Sequence, residues 1–222
     1  MKVKSKISSI LLILMCLFLV GCKHSKKART EPDGCIREYY KSGKLKVEIE
    51  VDENGIYNGQ GSAYYESGGL RSKCKFINGI KVEYNISYFE DGSVEFKESL
   101  NDMGELHGLV EFYFPDGILK LRGEFSNGRK VGVWKEFFQD GELYELNRYK
   151  NDELHGEQLT YDDYGVLRLK LFYDEGLKNG KWYFFDANKD TLKIEKYYND
   201  ELIDKIQLID SEDVEVNPNC ID

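Results

Sequence analysis

The chain has 222 residues, with 31 Lys and Arg against 40 Asp and Glu. Residues 1–33 contain seven of the basic and two of the acidic residues, which leaves 24 and 38, a net charge of −14, for residues 34–222. So acidic a body argues against a nucleic-acid partner, because phosphate contacts need a basic face. It also argues against a body that lies flat on an anionic membrane.

The N-terminus has the pattern of a secretory signal peptide. Three lysines precede an apolar run from Ile7 to Val20, and about 14 residues are too few to span a bilayer comfortably. The run ends in Leu19-Val20-Gly21-Cys22, which resembles the bacterial lipobox. The resemblance implies removal of residues 1–21, a lipid anchor on Cys22 and a place at the bacterial cell envelope, on the periplasmic or surface side of a membrane. An ordinary signal peptide with a chance cysteine is the alternative.

A short polar tether follows the anchor. Residues 22–33 are rich in basic residues and lack apolar periodicity, so we interpret them as a flexible leash. Their positive charges lie where anionic head groups would be, although a merely soluble linker fits equally well.

Residues 34–203 contain seven repeats of about 24 residues, the kind of self-similarity that marks a repeat protein. The entry position of each repeat is occupied by Gly34, Gly59, Glu83, Gly108, Gly132, Gly156 and Gly180. An aromatic residue follows five positions later in every repeat: Tyr39, Tyr64, Tyr88, Tyr113, Phe137, Tyr161 and Phe185. A turn glycine follows nine positions after the entry position in six repeats, with Lys189 in the seventh: Gly43, Gly68, Gly92, Gly117, Gly141 and Gly165.

Each repeat has the pattern of a β-hairpin. Pairs such as Asp116-Gly117 tolerate the positive φ of type I′ turns, and a second turn such as Asn127-Gly128 follows about 12 residues later. This spacing leaves no room for ordinary helices. We therefore predict an all-β fold, an elongated antiparallel meander of roughly 14 strands, with the aromatic column in its core.

The repeat resembles the MORN repeat, in the variant form common in bacteria. The resemblance is carried by Gly-x-x-x-x-aromatic-aromatic-x-x-Gly-x-Leu, as in Gly59 to Leu70 and Gly132 to Leu143. It implies a repeat scaffold that binds proteins or membranes, and bacterial variants are often described as antitoxins of toxin–antitoxin pairs. The chain departs from the pattern at four positions: Glu83, Asp162, Asp186 and Lys189.

No constellation of catalytic or metal-binding residues is visible. The sequence has no CxxC motif, and His107 and His155 are two repeats apart, about 19 Å in a flat sheet. We therefore predict neither enzymatic activity nor a metal or cofactor. Cys35 and Cys74 fall on strands three apart, about 14 Å, so no disulfide between them is expected.

Residues 204–222 leave the repeat pattern and form an acidic tail. Ile206, Leu208, Val214 and Val216 could supply a closing strand that caps the last repeat.

A candidate binding patch is predicted near the C-terminal end of the repeats. Trp134 and Trp182 share one position of the repeat, and Phe138, Asp162 and Asp186 share another on the same face. Asp162 and Asp186 occupy a repeat position that is aromatic in the first five repeats, and a packed core would not accept an unpaired acid there. They therefore suggest an open face, on which exposed tryptophans would be binding anchors. Packing of the tryptophans against the cap is the alternative.

The sequence thus favours a non-enzymatic, lipid-anchored, protein-binding scaffold at the cell envelope. An antitoxin or immunity protein is one alternative, although an anchor on Cys22 would place the body across the membrane from a cytoplasmic toxin. A glycan- or peptidoglycan-binding lipoprotein is another, suggested by the 14% aromatic residues.

Overall fold

A computed structural model describes residues 33–208, and these residues form one open antiparallel sheet in which each hairpin arm pairs with the next arm along the chain. The predicted all-β meander is confirmed. The strands are β1 Cys35–Tyr39, β2 Leu45–Val51, β3 Tyr57–Tyr64, β4 Leu70–Ile77, β5 Ile80–Tyr88, β6 Val94–Leu100, β7 Leu106–Tyr113, β8 Leu119–Ser126, β9 Arg129–Phe137, β10 Leu143–Lys150, β11 Glu153–Leu154, β12 Gly156–Tyr161, β13 Leu167–Asp174, β14 Leu177–Lys178, β15 Gly180–Phe185, β16 Thr191–Tyr198 and β17 Glu201–Gln207.

Residues 1–32 and 209–222 are not described, so Cys22, the tether up to residue 32, Val214 and Val216 lie outside the described residues. Within the described part of the chain, no helix has the length and hydropathy needed to cross a membrane.

Three strands exceed the predicted 14. The two-residue strands β11 and β14 are each followed by one unpaired residue and then by a glycine with positive φ, Gly156 or Gly180. Each is the first part of a hairpin arm that is interrupted at the residue before the glycine. The third extra strand is β17, which pairs with β16 beyond the last repeat. The predicted closing strand therefore exists, although it begins at Glu201 and not within residues 204–222.

The turn within each repeat is not the predicted type I′ turn. In the first repeat, Gly43 donates its N–H to the carbonyl of Tyr40 at 3.0 Å, and Tyr40 donates to Lys44 at 2.8 Å. Three residues therefore form the loop, and of these only Gly43 has positive φ, at 85°. This is a type I turn closed by a left-handed residue. The seventh repeat follows the same geometry with Lys189, at φ 70°.

The turn between repeats sets the repeat length. Two-residue loops such as Asn127-Gly128, with φ 48° and 78°, have the positive angles of type I′ turns and give the 24-residue spacing. After the first repeat, the backbone N–H of Asp52 donates to the carbonyl of Ile56 across a three-residue loop, with an N to O distance of 2.9 Å. The loop that begins at Asn101 does the same after the third repeat. These two loops account for the two 25-residue spacings.

The entry position has positive φ in all seven repeats, between 61° and 127°. Pairing shifts register beside it, as between Cys74 and Lys75 on β4, so it is a β-bulge. Glu83 adopts the same conformation at 61° without being glycine. The departure of Glu83 from the pattern therefore changes the residue but not the backbone.

One face of the sheet, here called the packed face, contains the core. It includes Gly61 opposite Cys74, Val110 opposite Gly123, and Trp182 opposite Glu195. The well-buried apolar residues are few: Cys74, Val82, Val110, Trp134, Leu171 and Trp182. The predicted aromatic column is not among them, and Tyr39 is 56% exposed. The prediction that this column forms the core is therefore wrong.

Glycines on the packed face make room for large rings. A Cβ on Gly123 would lie 2.2 Å from Cδ2 of Trp134, and a Cβ on Gly61 would lie 2.7 Å from Cε2 of Phe76. Trp134 also packs edge-on against Phe125, with ring centroids 5.1 Å apart. The core of this single-layer sheet thus combines small and aliphatic residues such as Val82 and Val110 with aromatic rings laid over neighbouring backbone.

Candidate binding surface

The predicted binding patch is not an exposed surface. Trp134 is 4% exposed and Trp182 is 6% exposed, so neither can anchor a partner. Trp182 packs between Tyr173 and Tyr197, with centroids at 5.2 and 4.8 Å, and donates its indole N–H to the carbonyl of Phe172 at 3.0 Å. The tryptophans belong to the core, but the rings that contact them lie on neighbouring strands of the repeats and not on the cap, which was the alternative.

The two acids of the predicted patch form hydrogen bonds within their own loops. The carboxylate of Asp162 accepts N–H groups of Tyr164 and Val166, and that of Asp186 accepts N–H groups of Asn188 and Asp190. Acids in this slot therefore cap their own three-residue loops. The remaining patch residue, Phe138, packs edge-on against Tyr144 at 5.0 Å. Loop capping, and not an open face, explains Asp162 and Asp186.

Where the same position of the repeat is occupied by tyrosine, the tyrosine side chain links successive repeats. The hydroxyl of Tyr40 donates to the carbonyl of Tyr64, and the hydroxyl of Tyr65 donates to that of Tyr88, both at 2.7 Å. This role was not predicted from the sequence. The signal that could have revealed it is the tyrosine itself, since a buried phenol needs a hydrogen-bond partner.

A polar cluster interrupts the packed face in the fifth and sixth repeats. Glu136 lies directly opposite Glu145, whose carboxylate accepts N–H groups of Asn147 at 2.9 Å and Gln158 at 2.8 Å. Burial and then the charge of Glu145 raise the pKa of Glu136. The cluster is internal to the sheet and makes its stability depend on pH.

The opposite face of the sheet, here called the open face, carries a row of positive charge. Cross-strand partners run from Lys73 to Ile86, then to Lys97, Glu111, Arg122 and Lys135, over the six strands β4 to β9. Direct partners share a face. Cys74, Gly123 and Trp134 are chain neighbours of this row and lie on the packed face, so the row lies on the other side. We call Lys73, Lys97, Arg122 and Lys135 the cationic row.

The cationic row has little internal compensation. Arg122 and Lys135 lie directly opposite each other, an arrangement that like charges disfavour. Glu111 is the acid in line with the row, but it is only 16% exposed, accepts the Tyr113 hydroxyl at 2.8 Å and lies 3.8 Å from Nε of Arg122. Among residues 33–208, Lys135 has no ion-pair partner, and Lys97 lies over the ring of Tyr113 at 5.3 Å.

Apolar side chains flank the cationic row. Leu109 and Val133 are 38% and 37% exposed, and each lies two residues before a member of the same cross-strand row, Glu111 and Lys135, and so on the same face. On the other side stand the half-buried rings of the aromatic column, such as Phe137. The open face thus offers a line of cations with exposed apolar side chains beside it, although the acid Glu124 lies directly opposite Leu109.

No feature of the described residues indicates metal chemistry. Within residues 33–208, no group of three or more His, Cys, Asp or Glu side chains is placed to hold a metal ion. Cys35 and Cys74 are free thiols, as predicted, and burial raises the pKa of Cys74. His107 accepts the backbone N–H of Asn127 at 3.3 Å, which is a turn contact.

Comparison with known proteins supports the repeat assignment. No curated protein matches the chain. Among solved structures, it is similar to a porin-like protein from Bacteroides uniformis ATCC 8492, at 12% identity over 78% of this chain and 86% of that chain, with a TM-score of 0.20. At that TM-score the likeness supports no conclusion about fold or function. The model of the family described as MORN repeat variant matches residues 32–55, 106–127 and 130–151, so three segments of the chain are similar to that repeat.

Proposed function

We propose that this protein is a non-enzymatic scaffold, anchored to a bacterial membrane through Cys22, that binds a protein partner on its open face. The observation that carries the proposal is the asymmetry of the sheet. The packed face is filled by its own aromatic rings, whereas the open face presents Lys97, Arg122 and Lys135 as exposed side chains beside exposed apolar residues.

The dimensions of the open face suit a macromolecule. Six adjacent strands at about 4.8 Å spacing give a surface about 24 Å long. Repeat proteins use such extended surfaces for binding. A cleft of about 400 Å³ at the turn edge of the sheet has only polar and charged walls: Arg129, Lys150, Asn151, Glu153 and Glu175. Sites for small molecules are mostly apolar, so this cleft does not favour a small ligand.

The anchor places the scaffold at the cell envelope. A lipid on Cys22 and a tether of about 11 residues would hold the sheet within some tens of ångströms of a membrane. A partner in the same compartment would then be met at high local concentration. No contact in the sheet favours the antitoxin alternative, which we do not propose.

Photo-crosslinking in living bacteria tests the proposal. A photoreactive amino acid is introduced into the full chain at Leu109 or Val133, on the open face, and at Tyr164 as the control, which is 85% exposed in the turn between β12 and β13. The proposal predicts a discrete protein adduct from Leu109 and Val133 that Tyr164 does not give. No adduct, equal adducts from all three sites, or a ladder of cell-wall material would contradict it.

A further inference from the structure

We propose that the cationic row binds an extended acidic segment of the protein partner, with an acid at every third residue. The inference rests on the proposed function and names the chemistry that the open face recognises. It follows from three properties of the row: its spacing, its excess of positive charge and its width.

The spacing fits an extended chain laid across the strands. Lys73, Lys97 and Arg122 stand on alternate strands, so successive cations are about 9.6 Å apart. One turn of polyproline II has three residues, advances about 9.3 Å and returns the side chain to the same side. An acid at every third residue would therefore meet Lys73, then Lys97, and then the directly opposed pair Arg122 and Lys135.

The charge of the row calls for an anionic partner. Within the row itself four cations accompany one acid, and the carboxylate of that acid, Glu111, is held by Tyr113. Arg122 and Lys135 repel each other across β8 and β9, and an acid lying between them would relieve that repulsion. The body carries net negative charge, so this row is a local exception on its surface.

The width of the row favours a chain over a membrane surface. The row is one residue wide, and the exposed acid Glu124 lies on the same face, two residues along β8 from Arg122. A flat anionic bilayer would cover such acids together with the cations. A single chain can touch the cations and place apolar side chains on Leu109 and Val133, which border the row.

The test measures binding of a labelled peptide, (Glu-Pro-Leu)4, to the full chain in detergent by fluorescence anisotropy. A peptide of the same composition with its four Glu residues contiguous tests the spacing. The variant Lys97→Glu/Lys135→Glu reverses two charges of the row. The matched control, Lys181→Glu/Lys196→Glu, reverses a directly opposed lysine pair elsewhere on the open face. Circular dichroism checks folding, and Lys97→Gln/Lys135→Gln replaces the reversal if that variant unfolds.

The row variant should weaken binding of the spaced peptide about tenfold or more, whereas the control should change it less than about twofold at physiological salt. Equal losses in both variants, or equal affinity for the contiguous peptide, would overturn the inference. So would row-dependent binding of phosphatidylglycerol vesicles without binding of the peptide. Crosslinking from Leu109 in cells does not depend on the peptide or vesicle results. The scaffold proposal is therefore tested separately from this inference.

Discussion

The turn within each repeat provides a sharp test of the fold, because adjacent glycines in one turn have different backbones. Gly68 closes the loop of the second repeat at φ 103°, and Gly69 follows it without a left-handed conformation. A Cβ on Gly68 would meet nothing within 4 Å, and one on Gly69 would lie 3.6 Å from the carbonyl oxygen of Glu90, an ordinary contact. Gly68→Ala therefore tests backbone conformation alone.

The magnitude follows from two opposing terms. A left-handed backbone costs an L-residue about 1–2 kcal/mol. Alanine also restricts the unfolded chain relative to glycine, which stabilises the fold by about 0.4–1 kcal/mol. Gly68→Ala should therefore lose about 1 kcal/mol of unfolding free energy, or about 2–4 °C in Tm for a chain of this size. Gly69→Ala should gain a few tenths to about 1 kcal/mol.

Thermal unfolding followed by far-UV circular dichroism compares the two variants with the wild type. Because the fold predicts opposite signs at neighbouring positions, errors common to both variants cancel. Equal shifts for Gly68→Ala and Gly69→Ala, or the reverse order, would refute the three-residue loop with its left-handed third residue.

Three further outcomes are expected. Gly123→Ala should destabilise the sheet by about 1–3 kcal/mol in urea unfolding, because its Cβ would overlap the Trp134 ring; an unchanged midpoint would contradict that packing. The raised pKa of Glu136 lies above the ordinary value of 4.5, so its contribution to stability is present at lower pH and lost as pH rises through the folded pKa. Glu136→Gln should therefore flatten the decline in unfolding free energy on the alkaline side of 4.5, whereas parallel pH profiles would contradict the raised pKa of Glu136. Cys22→Ser should move the protein from the membrane to the soluble fraction, and unchanged fractionation would refute the anchor.

The repeat could be predicted from the sequence because its conformational constraints fall on single residues. Positive φ selects glycine or asparagine, so the two glycine columns mark turns and bulges directly. The 25-residue spacings were visible in the sequence, but their cause needed the structure, since Asp52 and Asn101 precede loops of three residues while Asn127 and Gly128 form a loop of two.

The packed face could not be predicted from the same pattern. Both faces carry aromatic residues, and periodicity alone does not say which face closes on itself. The deciding residues are Gly61 and Gly123, which admit rings of the neighbouring strands and so select the face that becomes the core. A carboxylate at a repeat position that is otherwise aromatic fits either an open face or a capped loop, and only the hydrogen bonds of Asp162 and Asp186 distinguish the two.

Hydroxyl-radical footprinting of the full chain tests the central claim that a partner occupies the open face while the packed face stays closed. Oxidation of each side chain is compared between the protein in intact bacteria and the purified chain. The account predicts that Leu109 and Val133 react less in cells than after purification, while Trp134 and Trp182 stay unreactive in both. Equal oxidation of Leu109 and Val133 in the two states, or reactive tryptophans in either, would contradict it.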